Sequence, residues 1–286
     1  MPLALILSSH VATSRVGGFV QALALAQGGI DPVLVPTVLF GRHPGWGPPG
    51  GAAVTLETFE GMLGGIEANG LFTTIDLVIT GYFADAGQVR AAARAIDAMR
   101  ARRAKNPATG RLRVIVDPIM GDADRGLYVA AEVAEALVSE LVPRADLISP
   151  NAWELERMSG RAVRDADEAR EAALRLGKPA LVSSTPHGDQ TAPEIGVVYA
   201  DKKEAWLAVH ARAPAAPKGA GDLLAALFAV ALTEAHPASY ALARAVSGVV
   251  ETIAAATKSG AAELPIAGMG RALFETSSRV RIERLG

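Results

Sequence analysis

The sequence predicts an α/β fold built on a mostly parallel sheet, and three observations support it. Short apolar runs alternate with alanine-rich helical stretches along most of the chain. Each run is almost continuously apolar, which is typical of parallel strands covered by helices on both faces. Half of the residues are hydrophobic and 20% are charged, a globular balance. We therefore expect a central sheet with helices on both faces, a three-layer α/β/α arrangement.

The elements follow one another in βαβ order. Strands are predicted at residues 3–7, 32–36, 76–80, 112–117, 146–149 and 179–184. Helices are predicted between them at residues 18–27, 55–69, 84–103, 130–141 and 166–176. A hairpin at 196–200 and 205–210, two long helices at 221–234 and 238–258, and a polar tail complete the series.

Length and composition narrow the possible functions. The chain has 286 residues with no linker or internal repeat, so we expect one domain over 1–286. A net charge of −2 gives no reason to expect nucleic acid or anionic lipid as a partner. The absence of cysteine excludes disulfides and thiolate metal sites, and it fits the cytoplasm. The longest apolar run, Leu223 to Leu232, is about half of what a bilayer needs, and the N-terminus lacks the basic run of a signal peptide, so a soluble protein is expected.

The pentapeptide Lys218-Gly219-Ala220-Gly221-Asp222 is the clearest candidate for chemistry. It directly precedes an apolar helix, and a helix N-terminus with glycines binds anions through its N–H groups and its dipole. Asp222 would lie close to such an anion and could take a proton from an attacking hydroxyl. The alternative is that Asp222 only caps the helix. Neither a P-loop nor a dinucleotide-binding glycine motif is present.

Several polar residues follow predicted strands, where ligands bind in open α/β sheets. Asp117 and Asp122 are spaced carboxylates suited to Mg²⁺, although Asp-Pro and Gly-Asp are also ordinary turn sequences. Asn151 and Glu154 have the spacing of a capping box, and both can also face the cleft.

Two further groups lie in the first third of the chain. Ser9 and His10 end the first strand, and Tyr82 follows the strand near residue 80. The proline- and glycine-rich stretch from His43 to Gly51 is incompatible with a helix or a central strand, so we expect an exposed loop. Trp46 in this loop either packs locally or contacts a ligand.

The order of these motifs along the chain is more informative than any one of them. They are Ser9-His10-Val11, Val16-Gly17-Gly18, Pro36-Thr37-Val38, His43-Pro44-Gly45-Trp46-Gly47, Thr80-Gly81-Tyr82, Asp117-Pro118-Ile119-Met120-Gly121-Asp122, Gly126-Leu127-Tyr128-Val129, Ser149-Pro150-Asn151 with Glu154, and Gly219-Ala220-Gly221-Asp222. The series resembles the pyridoxal kinase branch of the ribokinase-like superfamily over roughly residues 3 to 260. The N-terminal motifs and the histidine loop mark this vitamin B6 branch.

The resemblance implies a role for each matching position. Asp222 would be the general base for the 5′-hydroxymethyl group of the vitamer, and Gly219, Ala220 and Gly221 would form the anion hole. The pyridine pocket would be lined by Ser9, His43 and Tyr82. The ATP phosphates would be bound by Asp117, Asn151, Glu154, Ser183, Ser184, Lys218 and Gly221, with Mg²⁺ near Asp117, Asp122 and Glu154. The resemblance also implies a monovalent cation (K⁺ or Na⁺) and a homodimer.

This chain departs from the family pattern at four positions. Pro44 and Trp46 stand in a loop that usually resembles His-Thr-Gly-Tyr, which leaves vitamer preference open. Gly18 replaces the usual asparagine. Leu127 occupies a place where some bacterial relatives carry a cysteine, so no thiohemiacetal with the aldehyde can form there.

Two alternatives to a vitamer kinase are a hydroxymethylpyrimidine kinase and a non-catalytic B6-binding protein. The first usually carries a Gly-Ser-Asp-x-Ser-Gly-Gly-Ala-Gly loop after its first strand, which is absent here. The intact Asp222 and its glycines argue against the second.

Overall fold

Strands and helices alternate along the chain, as predicted, in a computed structural model that describes residues 1–105, 110–188 and 193–286. Contacts between residues divide the chain into two units. The N-terminal unit comprises residues 1–121 and 125–146, and the C-terminal unit comprises residues 122–124 and 147–286. Among the described residues, no helix is both long and apolar enough to cross a membrane.

The N-terminal unit contains the first part of the βαβ series. Its strands are β1 (Leu3–Val11), β2 (Asp31–Phe40), β3 (Gly51–Ala53), β4 (Leu77–Thr80), β5 (Arg113–Val116) and β7 (Gly126–Leu127), with β6 (Gly121–Asp122) at its border. Its helices are α1 (Gly17–Gln27), α2 (Leu56–Ala68), α3 (Ala86–Arg103) and α4 (Ala131–Ala136). The strand order is β5-β4-β1-β2-β3, and only β3 pairs antiparallel.

The parallel register of this unit places candidate residues at one edge of its sheet. Leu7 of β1 pairs with Thr80 of β4, and Thr80 pairs with Val116 of β5. The residues that follow these three positions therefore emerge at the same edge, where α/β proteins bind ligands. The strands are buried almost throughout, which explains their continuous apolar runs.

The C-terminal unit combines one parallel strand pair with antiparallel strands. Its strands are β8 (Leu147–Ile148), β9 (Ala180–Pro186), β10 (Glu194–Ala200), β11 (Ala205–Ala211) and β12 (Arg281–Arg284). Its helices are α5 (Ala152–Ser159), α6 (Ala166–Leu176), α7 (Ala220–Thr233) and α8 (Ala238–Ser259). β8 and β9 are parallel, whereas β9, β10, β11 and β12 form an antiparallel series. The predicted hairpin is confirmed as β10 and β11.

Four strands were not predicted from the sequence, namely the two-residue strands β6 and β7 and the edge strands β3 and β12. The tail predicted as polar contains β12, an edge strand on β11 whose two central residues, Ile282 and Glu283, are only half-buried. The stretch from His43 to Gly51 contains a single 3₁₀ turn, Pro44–Trp46, and its last residue begins the edge strand β3. Proline is compatible with the first turn of a helix, where its missing N–H is not needed.

Candidate active site

In the N-terminal unit, the end of β1 and the start of α1 are in close contact. Gly17 has a φ of +58°, and a Cβ built on it would lie 2.0 Å from Ser9 Oγ, so this position requires glycine. A Cβ on Gly18 would lie 2.3 Å from Leu34 Cδ1. With Leu34 placed here, a side chain at position 18 would clash with it. The glycine that replaces the usual family asparagine avoids this clash.

Tyr82 follows the same sheet edge, one residue after Gly81. A Cβ on Gly81 would lie 2.4 Å from the side-chain oxygen of Ser8, so the chain leaves β4 in direct contact with the end of β1. The hydroxyl of Thr37 donates a hydrogen bond of 2.6 Å to the carbonyl oxygen of Tyr82. Burial raises the pKa of the Tyr82 phenol. Tyr82 therefore remains a neutral hydrogen-bond donor at physiological pH.

His43 lies at the start of the 3₁₀ turn and is ordered by it. Its Nδ1 accepts a hydrogen bond of 2.9 Å from the backbone N–H of Gly45. In the neutral imidazole the proton is therefore on Nε2, which can donate to a ligand. The rings of His43 and Trp46 are 6.1 Å apart between centroids, and Trp46 is 46% exposed. The tryptophan thus lies beside the histidine with much of its indole open to solvent.

Two carboxylates follow β5. Asp117 is buried, and its N–H donates to the carbonyl oxygen of Thr80 over 3.1 Å, which extends the β4–β5 ladder by one residue. Asp122 is half-buried in β6, and its Oδ1 accepts a bond of 3.1 Å from the N–H of Asp124. The predicted turn function of Asp122 is therefore confirmed.

In the C-terminal unit, helix α7 begins one residue earlier than predicted. The residue before its first turn is Gly219, with a φ of +92°, and no described side chain caps the helix. Asp222 is the third helical residue and is 8% exposed. The interpretation of Asp222 as the helix cap is therefore wrong. Its carboxylate lies in the first turn, where the N–H groups and the helix dipole favour negative charge.

The capping box at the start of α5 is confirmed. Asn151 Oδ1 accepts from the N–H of Glu154, and Glu154 Oε2 accepts from the N–H of Asn151, both over 2.9 Å. Glu154 is 3% exposed. One oxygen of this buried carboxylate is thus engaged by the helix start, while its proposed contact with the cleft stays a prediction.

The end of β9 has an unusual backbone. Ser183 donates its N–H to the carbonyl oxygen of Pro150 over 3.0 Å, next to the bridge that Asn151 and Ser183 form. Ser184 has a φ of +56°, a conformation that costs a non-glycine residue about 1–3 kcal/mol. Such strain persists where the surroundings hold the backbone in place, and it concentrates at ligand sites. Lys218, before the glycines of α7, is exposed.

The predicted metal ligands do not form a ready-made site. Within residues 1–105, 110–188 and 193–286, no group of three or more His, Asp or Glu side chains is arranged to hold a metal ion. A magnesium ion at Asp117, Asp122 or Glu154 would therefore need the waters and phosphate oxygens with which Mg²⁺ usually completes its shell.

One residue of the N-terminal site was missed by the sequence analysis. Gln88 of α3 is fully buried and hydrogen-bonds to the carbonyl oxygens of Thr37 and Val54. The sequence signal that could have identified Gln88 is a polar side chain among the alanines and the valine of a buried helix face.

A carboxylate in the first turn of a glycine-led helix can take a proton beside an anion site, as phosphoryl transfer to a hydroxyl requires. Together with the α/β sheet, this carboxylate and its glycine-led helix define a small-molecule kinase of the ribokinase-like class. The family model of phosphomethylpyrimidine kinase matches residues 74–267.

Named relatives narrow this class. A pyridoxine/pyridoxal/pyridoxamine kinase of Bordetella avium is 35% identical over 264 residues, covering 90% of this chain and 86% of the relative. A pyridoxal kinase of Corynebacterium diphtheriae is 30% identical over 283 residues, covering 98% of both chains. The solved structure of the Leishmania donovani pyridoxal kinase with ADP and pyridoxamine is 25% identical, with a TM-score of 0.92 and complete coverage of both chains. The chain belongs to the pyridoxal kinase branch of the ribokinase-like superfamily.

Proposed function

We propose that the protein is an ATP-dependent pyridoxal kinase that transfers the γ-phosphoryl group to the 5′-hydroxymethyl group of B6 vitamers, giving the 5′-phosphate and ADP. The observation that carries the proposal is the position of Asp222 in the first turn of α7, directly after Gly219 in the left-handed conformation. The kinases of B6 vitamers named above support the choice of acceptor.

The start of α7 supplies the residues for the chemical step. As the hydroxyl oxygen bonds to the γ-phosphorus, the bond from phosphorus to the bridging oxygen of ADP breaks, and Asp222 accepts the hydroxyl proton. The N–H groups of Ala220 and Gly221 and the helix dipole stabilise the negative charge on the transferring group. Because Asp222 is buried, its carboxylate is poorly screened by water and acts strongly on the attacking hydroxyl.

ATP would be held by residues at the starts of two helices and at the end of β9. We assign Asn151, Glu154, Ser183, Ser184 and Lys218 to its phosphates and Asp117, Asp122 and Glu154 to a Mg²⁺ ion bound largely through water. Carboxylates are the oxygen donors that suit this cation. Magnesium would neutralise charge on the phosphates, and a monovalent cation such as K⁺ is the second ion that we expect.

The vitamer would bind at the sheet edge of the N-terminal unit. Ser9, His43 and Tyr82 would contact the pyridine ring and its substituents. The neutral Tyr82 phenol and the His43 Nε2–H are donors for the ring hydroxyl and the 4′-group.

We also infer that residues 1–286 act as one catalytic domain, in a cytoplasmic homodimer. The alignment with the C. diphtheriae relative runs across both units and supports the first point. The absence of cysteine is consistent with the cytoplasm.

A hydroxymethylpyrimidine kinase is the second candidate, because the matching family model is described as phosphomethylpyrimidine kinase, an activity on a closely related pyrimidine. That match begins at residue 74 and so leaves out Ser9 and His43. These residues belong to the N-terminal motifs that favour a vitamer. A non-catalytic B6-binding protein would keep the pocket without turnover.

The distinguishing experiment measures ADP release with pyridoxal, pyridoxine, pyridoxamine and hydroxymethylpyrimidine in parallel. Asp222→Asn enzyme supplies the background. We expect release with at least one vitamer, dependent on Mg²⁺ and abolished by chelator. Release only with hydroxymethylpyrimidine would reject the proposal in favour of the second candidate. Vitamer binding without any release would favour the carrier.

A further inference from the structure

Gln88, the third residue of α3, is fully buried and uses its whole amide group. Its Nε2 donates to the carbonyl oxygen of Val54 over 2.7 Å and to that of Thr37 over 3.0 Å. Its Oε1 accepts from the N–H of Ala84 over 3.3 Å. Buried amides with this many bonds fix the relative position of the segments that they join.

The segments joined by Gln88 are those that carry the vitamer-side candidates. Thr37 and Val54 lie at the open end of the hairpin of β2 and β3. The N–H of Val54 donates a backbone hydrogen bond of 3.0 Å to the carbonyl oxygen of Thr37 there. The loop between these strands contains His43. Ala84 is two residues beyond Tyr82, whose carbonyl oxygen accepts from the Thr37 hydroxyl over 2.6 Å.

We propose that Gln88 is a positioning residue that sets the distance between Tyr82 and the hairpin bearing His43, and thereby the affinity for the vitamer. This inference rests on the proposed function, because it takes both residues as contacts of the pyridine ring. The hydrogen bonds of the Gln88 side chain go to backbone groups, so its effect on the substrate passes through the two loops.

We expect the loss of the Gln88 amide to weaken binding of the vitamer and to leave binding of ATP almost unchanged. Gln88→Met keeps the length and burial of the side chain but leaves the Val54 carbonyl and the Ala84 N–H without this partner. The loops then separate or rotate to reach water. We expect the KM for pyridoxal to rise about tenfold, equivalent to one lost buried hydrogen bond. The KM for ATP should change by less than about twofold.

A second variant separates positioning from simple loss of packing. Gln88→Glu keeps the shape, but an ionised carboxylate cannot donate to two carbonyl oxygens and is repelled by them, which raises its pKa. Protonation restores one donor. The vitamer KM of Gln88→Glu, divided by that of the wild type at the same pH, should therefore fall as the pH is lowered from 8 to 6. A purely structural defect in α3 would not follow this pH profile.

The control is Ile96→Val, a substitution at a fully buried residue of the same helix. It should lower stability without changing either KM. Should Gln88→Met fail to fold, Gln88→Glu decides the inference. Thr37→Val tests the same two segments by another bond, because it removes the hydroxyl bond to Tyr82 and leaves the bonds of Gln88. We then expect a smaller rise in vitamer KM, about threefold, again without a change for ATP.

The inference is overturned if the folded Gln88 variants keep the wild-type vitamer KM, or if the KM values for ATP and vitamer rise together. If the wild type phosphorylates no vitamer, the proposed function fails separately. Direct titration with pyridoxal then decides the inference, because weaker binding by Gln88→Met than by Ile96→Val supports it and equal binding rejects it.

Discussion

The two units hold their candidate residues in place by different means. In the C-terminal unit, Asn151 and Glu154 bond to each other across three positions of sequence, and Asp222 is placed by a helix that starts two residues before it. In the N-terminal unit, Gln88 and Thr37 are 51 residues apart, and Thr37 and Tyr82 are 45 apart. The phosphate binding that we propose therefore depends on local helix starts, whereas the proposed vitamer binding depends on long-range contacts. Substitutions at these two groups of residues should accordingly affect different kinetic constants.

The largest effect is expected at Asp222. Asn keeps the shape of the side chain but cannot accept a proton, so we expect kcat to fall by about 10²–10⁴-fold. Binding of ATP and vitamer should change little, because the lost interaction acts in the transition state. Pre-steady-state kinetics and equilibrium titration together check both parts.

The matched control for this substitution is Asp167→Asn, because Asp167 also lies in the first turn of a helix, α6. It should leave kcat unchanged. Wild-type turnover in Asp222→Asn would mean that the carboxylate only stabilises the start of α7.

A smaller effect is expected at Glu154. Gln keeps an oxygen that can accept from the Asn151 N–H, so the capping box and stability are preserved. Loss of the charge should raise the Mg²⁺ concentration for half-maximal activity by about tenfold. Titration of activity with Mg²⁺ measures this half-maximal concentration, and Glu156→Gln on the same helix is the control. Identical Mg²⁺ curves for the wild type and Glu154→Gln would remove Glu154 from the metal site.

Pro44 tests the vitamer side of the comparison. Thr restores a backbone N–H and a hydroxyl at the first residue of the 3₁₀ turn after His43. We expect the ratio of kcat/KM values among pyridoxal, pyridoxine and pyridoxamine to shift by about tenfold or less, with the KM for ATP unchanged. Pro48→Thr in the same loop is the control. A change in ATP affinity without a change in vitamer ratio would assign this loop to the wrong substrate.

The smallest effect concerns stability at low pH. Burial lowers the pKa of His210 in β11, against the opposing hydrogen bond of its Nδ1 with the Ala211 carbonyl. The unfolded chain therefore binds the proton more readily than the folded one. The stabilisation is present above the unfolded pKa of about 6.5 and is lost as the pH falls below it.

Denaturant unfolding of wild type and His210→Gln between pH 5 and pH 8 measures this contribution. The free energy of unfolding of the wild type should decline more steeply below pH 6.5 than that of the variant. Parallel curves would show that His210 does not contribute to the pH dependence of stability.

The difference between the units also explains which features the sequence predicted. The α5 capping box and the α7 glycine motif depend on residues within a few positions, so their spacing was sufficient. The role of Gln88 depends on hairpin and loop segments distant in sequence, which no local pattern identifies. The short edge strands β3 and β12 were missed because Gly51–Ala53 and Arg281–Arg284 lack the apolar run of a buried strand.

Local reasoning also failed at two backbone positions. It allowed Asp222 as the helix cap, because Gly-Asp often starts a helix, but the left-handed φ of Gly219 places the cap there. The left-handed conformation of Ser184 was not predictable, since serine rarely adopts it, and it lies where the pairing of β9 with β10 is irregular.

The central claim is that the 5′-hydroxymethyl group of a B6 vitamer accepts the phosphoryl group of ATP. Its most direct test is product analysis by phosphorus NMR and mass spectrometry after incubation of the wild-type enzyme with pyridoxal and Mg²⁺–ATP. The account predicts pyridoxal 5′-phosphate and ADP in equal amounts. Phosphate on another oxygen of the vitamer, or ADP accompanied only by inorganic phosphate, would contradict it.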